Sequence, residues 1–143
     1  MEKCSILVND LGGLVSQNCF HGIVVDVAFT DLSFPASFSC FAREQSGTWG
    51  LFGIVVPRDE LEKAIVSIQA HMRKDQPFYA HLYDDETLIV IFKDRCFHVT
   101  PHCSTWAEIE RYGRSLNIPV EQLDFWPNRF QDEAHYFKPE SFI

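Results

Sequence analysis

Between residues 49 and 118 the chain switches from strand-like to helix-like hydrophobic spacing and back, and this succession limits the fold more than any other feature. Residues 49–56 (WGLFGIVV) are almost wholly apolar, the pattern of a strand buried on both faces. Gly50 and Gly53 within that run predict a bulge or a close backbone approach. Pro57 ends the run and opens a helical stripe over residues 58–74, in which Leu61, Ala64, Ile65, Ile68 and Met72 recur at helix spacing. Asp59, Glu60 and Glu62 fall in its first turns and Arg73 and Lys74 in its last, an order that complements the helix dipole. Three short apolar runs follow, over residues 77–83, 87–92 and 95–100, separated by Asp84-Asp85 and Lys93-Asp94. Such short gaps predict an antiparallel meander. A second stripe (Trp106, Ile109, Tyr112, Leu116) then predicts a helix, with Thr105 and Glu108 as a capping box and Asn117 and Pro119 marking its end.

Upstream, the apolar residues up to Val8 end at Asn9-Asp10 and Gly12-Gly13, strong turn signals, and a strand resumes at Leu14. Residues 22–30 (GIVVDVAFT) read as a further strand, and residues 37–42 alternate. The expected architecture is a single α+β domain over residues 1–143, with a mostly antiparallel sheet and two main helices. A ferredoxin-like β-α-β-β-β-α order with extra N-terminal strands is compatible with it. A chain of 143 residues can bury a core of that kind without staples.

Pairing the meander assigns its faces. With two-residue turns, His81 pairs with Leu88 and Leu88 with Val99, while His98 pairs with Ile89. Tyr79, His81 and Tyr83 then share a face with Leu88, Val90, Phe92, Phe97 and Val99, and Phe78, Ala80, Leu82, Ile89, Ile91, Cys96 and His98 share the other. Both faces are apolar, so each needs a cover. Two helices account for one; N-terminal strands, a second subunit or a ligand must supply the other. The C-terminal tail is aromatic (Trp126, Phe130, Tyr136, Phe137, Phe142) and is expected to pack on the body or on a partner.

The aromatic load, 14% of residues including 13 Phe, makes an aromatic surface the leading functional feature. Tyr79, His81, Tyr83, Trp106 and Trp126 are the candidate ligand or interface residues. The formal net charge is −8, from 12 basic and 20 acidic residues, and the basic ones are dispersed. That excludes a phosphate-binding patch for nucleic acid and disfavours an anionic membrane surface. No apolar run approaches the ~20 residues of a membrane span, and no signal peptide is evident. Five cysteines with no C-x-x-C pair read as reduced thiols in a cytoplasmic protein.

The chemical alternative lies around Cys96, His98, His102 and Cys103. Cys96, His98 and His102 are the right residue types for a metal, although their spacing is not that of a zinc finger. Cys103 precedes the expected helix start, where a dipole stabilises a thiolate, with His102 or His98 as its weak partner. No phosphate loop, dinucleotide fingerprint, nucleophile elbow or HExxH motif occurs. The sequence therefore favours a non-enzymatic binding protein without a cofactor, working as a homodimer or with a protein partner. A small enzyme or a redox or metal sensor at the Cys/His cluster is the competing expectation.

Overall fold

The computed structural model describes residues 6–8 and 14–143. Two short strands, β1 (Ile6–Val8) and β2 (Leu14–Gln17), pair with each other. The turn expected at Asn9-Asp10 and Gly12-Gly13 lies outside the described residues. The main sheet has six antiparallel strands: β3 (Cys19–Val25), β4 (Ser39–Ser46), β5 (Trp49–Pro57), β6 (Tyr79–Tyr83), β7 (Leu88–Phe92) and β8 (Cys96–Val99). Their order is β4-β5-β3-β6-β7-β8. The α+β class and the antiparallel sheet hold. The β-α-β-β-β-α succession is present along the chain, but β3 inserts between β5 and β6.

A 3-10 turn (Arg58–Glu60) leads into α1 (Leu61–His71), which buries Ala64, Ile65 and Ile68. These pack with Phe20, Val24, Ile54, Val56, Leu82, Ile89 and Ile91 on one face of the sheet. α2 (Ala107–Ser115) buries Ile109 on the other face, with Leu88, Val90, Phe92 and Phe97. The two helices thus lie on opposite faces rather than sharing one. The period-2 alternation of the strands makes this necessary, because both faces of β6 and β7 are apolar.

The rest of the second face is covered by the C-terminal segment. From Ile118 onward the chain crosses the sheet as a strap, burying Ile118, Leu123, Phe125 and Phe137 against it. The strap carries a short helix, α3 (Glu133–Tyr136), and ends in a bridge between Phe142 and Ala42 of β4. The Ile143 N–H then donates to the Phe41 carbonyl at 3.0 Å. No second subunit is needed to close the core.

Three local expectations are corrected. His81 pairs with Val90 rather than Leu88. The connection between β6 and β7 takes four residues: Asp84 Oδ1 accepts the N–H groups of Glu86 and Thr87, and Asp85 has φ 78°. A shift of two residues leaves every side chain on its expected face. Thr105 and Glu108 form no capping box, because Thr105 belongs to a 3-10 turn (Cys103–Thr105) and its hydroxyl donates to the His102 carbonyl at 2.8 Å. Finally, Cys19 is buried and disulfide-bonded, so the expectation of five reduced thiols fails there.

Candidate functional site: the aromatic strap and the residues beneath it

The face under the strap is laid out by strand pairing. β3 aligns with β6 so that His21 sits opposite Tyr83 and Ile23 opposite His81. On the outer side, β4 bulges between Cys40 and Ala42. The extra residue, Phe41, turns its ring onto the strap face. That ring fills the space above Gly53, where a Cβ would lie 2.5 Å from Phe41 Cζ. The close approach predicted for the β5 glycines is therefore real. It brings Phe41 into a stack on His21, with ring centroids 4.3 Å apart.

The strap is fastened to this face by polar contacts from alternate residues of β6, from the β6–β7 turn, and from β3 and β4. The Tyr79 hydroxyl donates to the Gln122 carbonyl. His81 Nε2 lies 2.8 Å from the Pro127 carbonyl, which can only accept, so the proton is on Nε2. Burial holds His81 down to about 4, so its ring is neutral across the physiological range. The Tyr83 hydroxyl donates at 2.5 Å and His21 Nδ1 at 2.7 Å to the same oxygen, Glu133 Oε2. Burial first, and Glu133 second, push the Tyr83 phenol well above its ordinary range. Beyond them the Asp85 carboxylate accepts the Phe130 N–H at 2.7 Å. Glu44 of β4 accepts both the Lys138 N–H and the Ser141 hydroxyl at 2.9 Å.

The five aromatic candidates fall into two groups. Tyr79, His81, Tyr83 and Trp106 lie inside, between sheet and strap. Trp106 is buried, donates its indole N–H to the Thr100 carbonyl at 2.8 Å, and meets Phe125 edge-on at 5.1 Å. These four hold the molecule together: the polar atoms of Tyr79, His81 and Tyr83 are spent on the strap, and that of Trp106 on the turn before α2. Trp126 is the most exposed of the five, at 39%, with its ring edge-on to Tyr136 at 5.7 Å. Tyr136 leads through Phe137 (4.9 Å) to Phe142 (5.9 Å). Phe142 and Ile143 are exposed while Phe137 is buried, so the row surfaces at its two ends, Trp126 and Phe142, and passes beneath the surface between them.

The Cys/His candidates are not gathered into a site. Among the described residues no group of three or more His, Cys, Asp and Glu side chains could hold a metal ion. Cys96 packs on the α1 side, where burial, and secondarily Glu62, pushes its thiol up to about 11. His98 is exposed on the same strand. The His102 ring is engaged locally, its Nδ1 taking the Ser104 hydroxyl at 2.7 Å. Cys103 starts a 3-10 turn four residues ahead of α2, so the helix dipole expected to activate it begins elsewhere.

Sequence reasoning missed His21 and Glu133 as one unit, and Phe41 and Phe142 as rim residues. The alternation of β3 puts His21 on the strap face. Nothing local reveals that β3 lies beside β6, or that a residue 112 positions away closes over it. The fold is thus an α+β sheet with a helix on each face and an aromatic strap. Comparison with protein-family models, curated proteins and solved structures found no match for it. Among the described residues no helix is long and apolar enough to cross a membrane.

Proposed function

We propose that this chain is a small, non-enzymatic interaction protein that binds another protein through the exposed ends of the aromatic row in its strap, Trp126 and Phe142. One observation carries the reading. The chain covers both apolar faces of its own sheet, yet leaves Trp126, Phe142 and Ile143 outside, joined through Tyr136 and Phe137. Aromatic side chains in exposed rows are the usual anchors of protein interfaces. Asp124 and Glu44 lie close enough to Tyr136 to help raise its phenol, after burial. With a net charge of −8, this acidic margin favours a partner with basic groups over a second copy. A cytoplasmic setting stays part of the proposal on the strength of the free thiols at Cys40, Cys96 and Cys103; the Cys19 disulfide pulls the other way.

Site-specific photo-crosslinking in the expressing cell tests it. A benzophenone side chain at Trp126 should give one discrete adduct, and the same group at Val66, exposed on α1, should not. An adduct of twice the chain's mass would replace the partner with a second copy. No adduct, or the same pattern from both positions, would refute the reading.

A further inference from the structure

We propose that the groove at the Lys93-Asp94 end of the sheet binds a small organic anion carrying a flat apolar ring. This site is separate from the strap's aromatic row and does not depend on it. The groove has a volume of about 400 Å³ and is bounded by the segment after α1, the β7–β8 turn and the end of α2. That volume suits a small-molecule ligand. Its apolar walls are Phe78, Tyr112 and Leu116.

Both rings are fixed by neighbours. Phe78 meets Trp49 edge-on at 6.1 Å and Tyr112 meets Phe92 edge-on at 4.9 Å. The Arg95 guanidinium lies over Phe97, 4.6 Å from its ring centroid, and over Tyr112 at 5.4 Å. A flat ring in the groove would meet aromatic side chains, Phe78 and Tyr112, that are already held in place, so little side-chain ordering is left for binding to impose.

The charges around the groove decide the sign of the ligand. In a chain with net charge −8, its lining brings together Arg73, Lys74 and Lys93, against Asp75 and Asp94. The Arg73 guanidinium is committed to Asp75, with contacts of 2.6 and 2.7 Å, so that pair is internally neutral. Lys93 Nζ donates one hydrogen bond, at 2.8 Å, to the Gln69 carbonyl. An ammonium has three N–H groups, so two remain for a ligand. Lys74 makes no hydrogen bond or ion pair within the described residues. Asp94 is the one opposing charge left in the lining. A carboxylate on the ligand would be met by Lys93 and Lys74 while its ring lies on Phe78 and Tyr112.

The test is a two-dimensional amide NMR titration of the whole chain with 2-naphthoate, and with the uncharged 2-naphthamide as its control. Saturable shifts at Phe78, Lys93 and Tyr112, with naphthoate bound more tightly than the amide, are expected. Lys74→Gln, at an exposed residue whose change leaves the fold intact, should weaken naphthoate about two- to fivefold, the range of an exposed ion pair. Lys93→Gln should weaken it as well, and added salt should reduce the preference for the acid. Equal affinity for acid and amide, an unchanged affinity in Lys74→Gln, or shifts confined to residues outside the groove would overturn the proposal.

Discussion

Removing one oxygen atom from the core measures how the strap is held. Tyr83→Phe keeps the ring, its tilted contact with Phe130 at 5.9 Å and its place opposite His21. It deletes only the hydroxyl that donates to Glu133 Oε2. Tyr83 is fully buried, so no water takes the vacated position without rearrangement. A hydrogen bond to a carboxylate in such surroundings contributes about 1.5–3 kcal/mol. In a chain of this size each kcal/mol is worth roughly 3–5 °C, so the Tm should fall by about 5–15 °C in calorimetry. Hydrogen exchange should localise the loss. Amides of residues 123–137 should lose protection beyond the global change, while those of α1 follow the global change alone. Glu133→Gln should couple to it, with the double mutant departing from additivity by about 1 kcal/mol or more. A Tm within about 1 °C of the parent, or strict additivity, would show that apolar burial holds the strap and that the polar cluster is incidental.

Two further outcomes follow from the same layer. His81 stays neutral when folded until pH falls to about 4, whereas in the unfolded chain it protonates near 6.5. The unfolded state therefore binds more protons between those values, and stability should fall as pH drops from 6.5 toward 4, by up to about 1.4 kcal/mol per pH unit. His81→Gln should lack that slope, so urea midpoints of the two proteins should converge on acidification; parallel curves would contradict the assignment. Gly53→Ala places a methyl group 2.5 Å from Phe41 Cζ and should cost about 1–3 kcal/mol through displacement of that ring. Phe41→Leu in the same background should recover part of the loss, and a neutral Gly53→Ala would argue that the bulge is not tied to Phe41.

Much of the sheet was legible because a strand's faces are a local property. The residues sharing a face in β6, β7 and β8 follow from period-2 alternation alone, and a two-residue error in the β6–β7 register left them unchanged. The α1 stripe was legible for the same reason, since helix spacing is written into Leu61, Ala64, Ile65 and Ile68. The start of α2 was misread because Thr105 spends its hydroxyl on the preceding turn, a choice fixed by the position of Thr100 and His102. The candidate site was legible only in part: the alternation of β6 puts Tyr79, His81 and Tyr83 on one face, but does not say what covers them or which aromatic side chains face solvent.

By itself, then, the sequence determined the elements and their apolar faces, and with them the need for two covers. Tertiary structure alone decided that β3 lies between β5 and β6, that one helix goes to each face, and that the C-terminal strap completes the second. Those choices join Tyr83 and His21 to Glu133 across 50 and 112 residues of chain. Contacts of that range leave no local period to read, because they are selected by how the whole set of apolar faces can be buried at once. The strap also decides exposure: it turns Tyr79, His81 and Tyr83 inward as fasteners, covers Trp106 with Phe125, and leaves Trp126 outside.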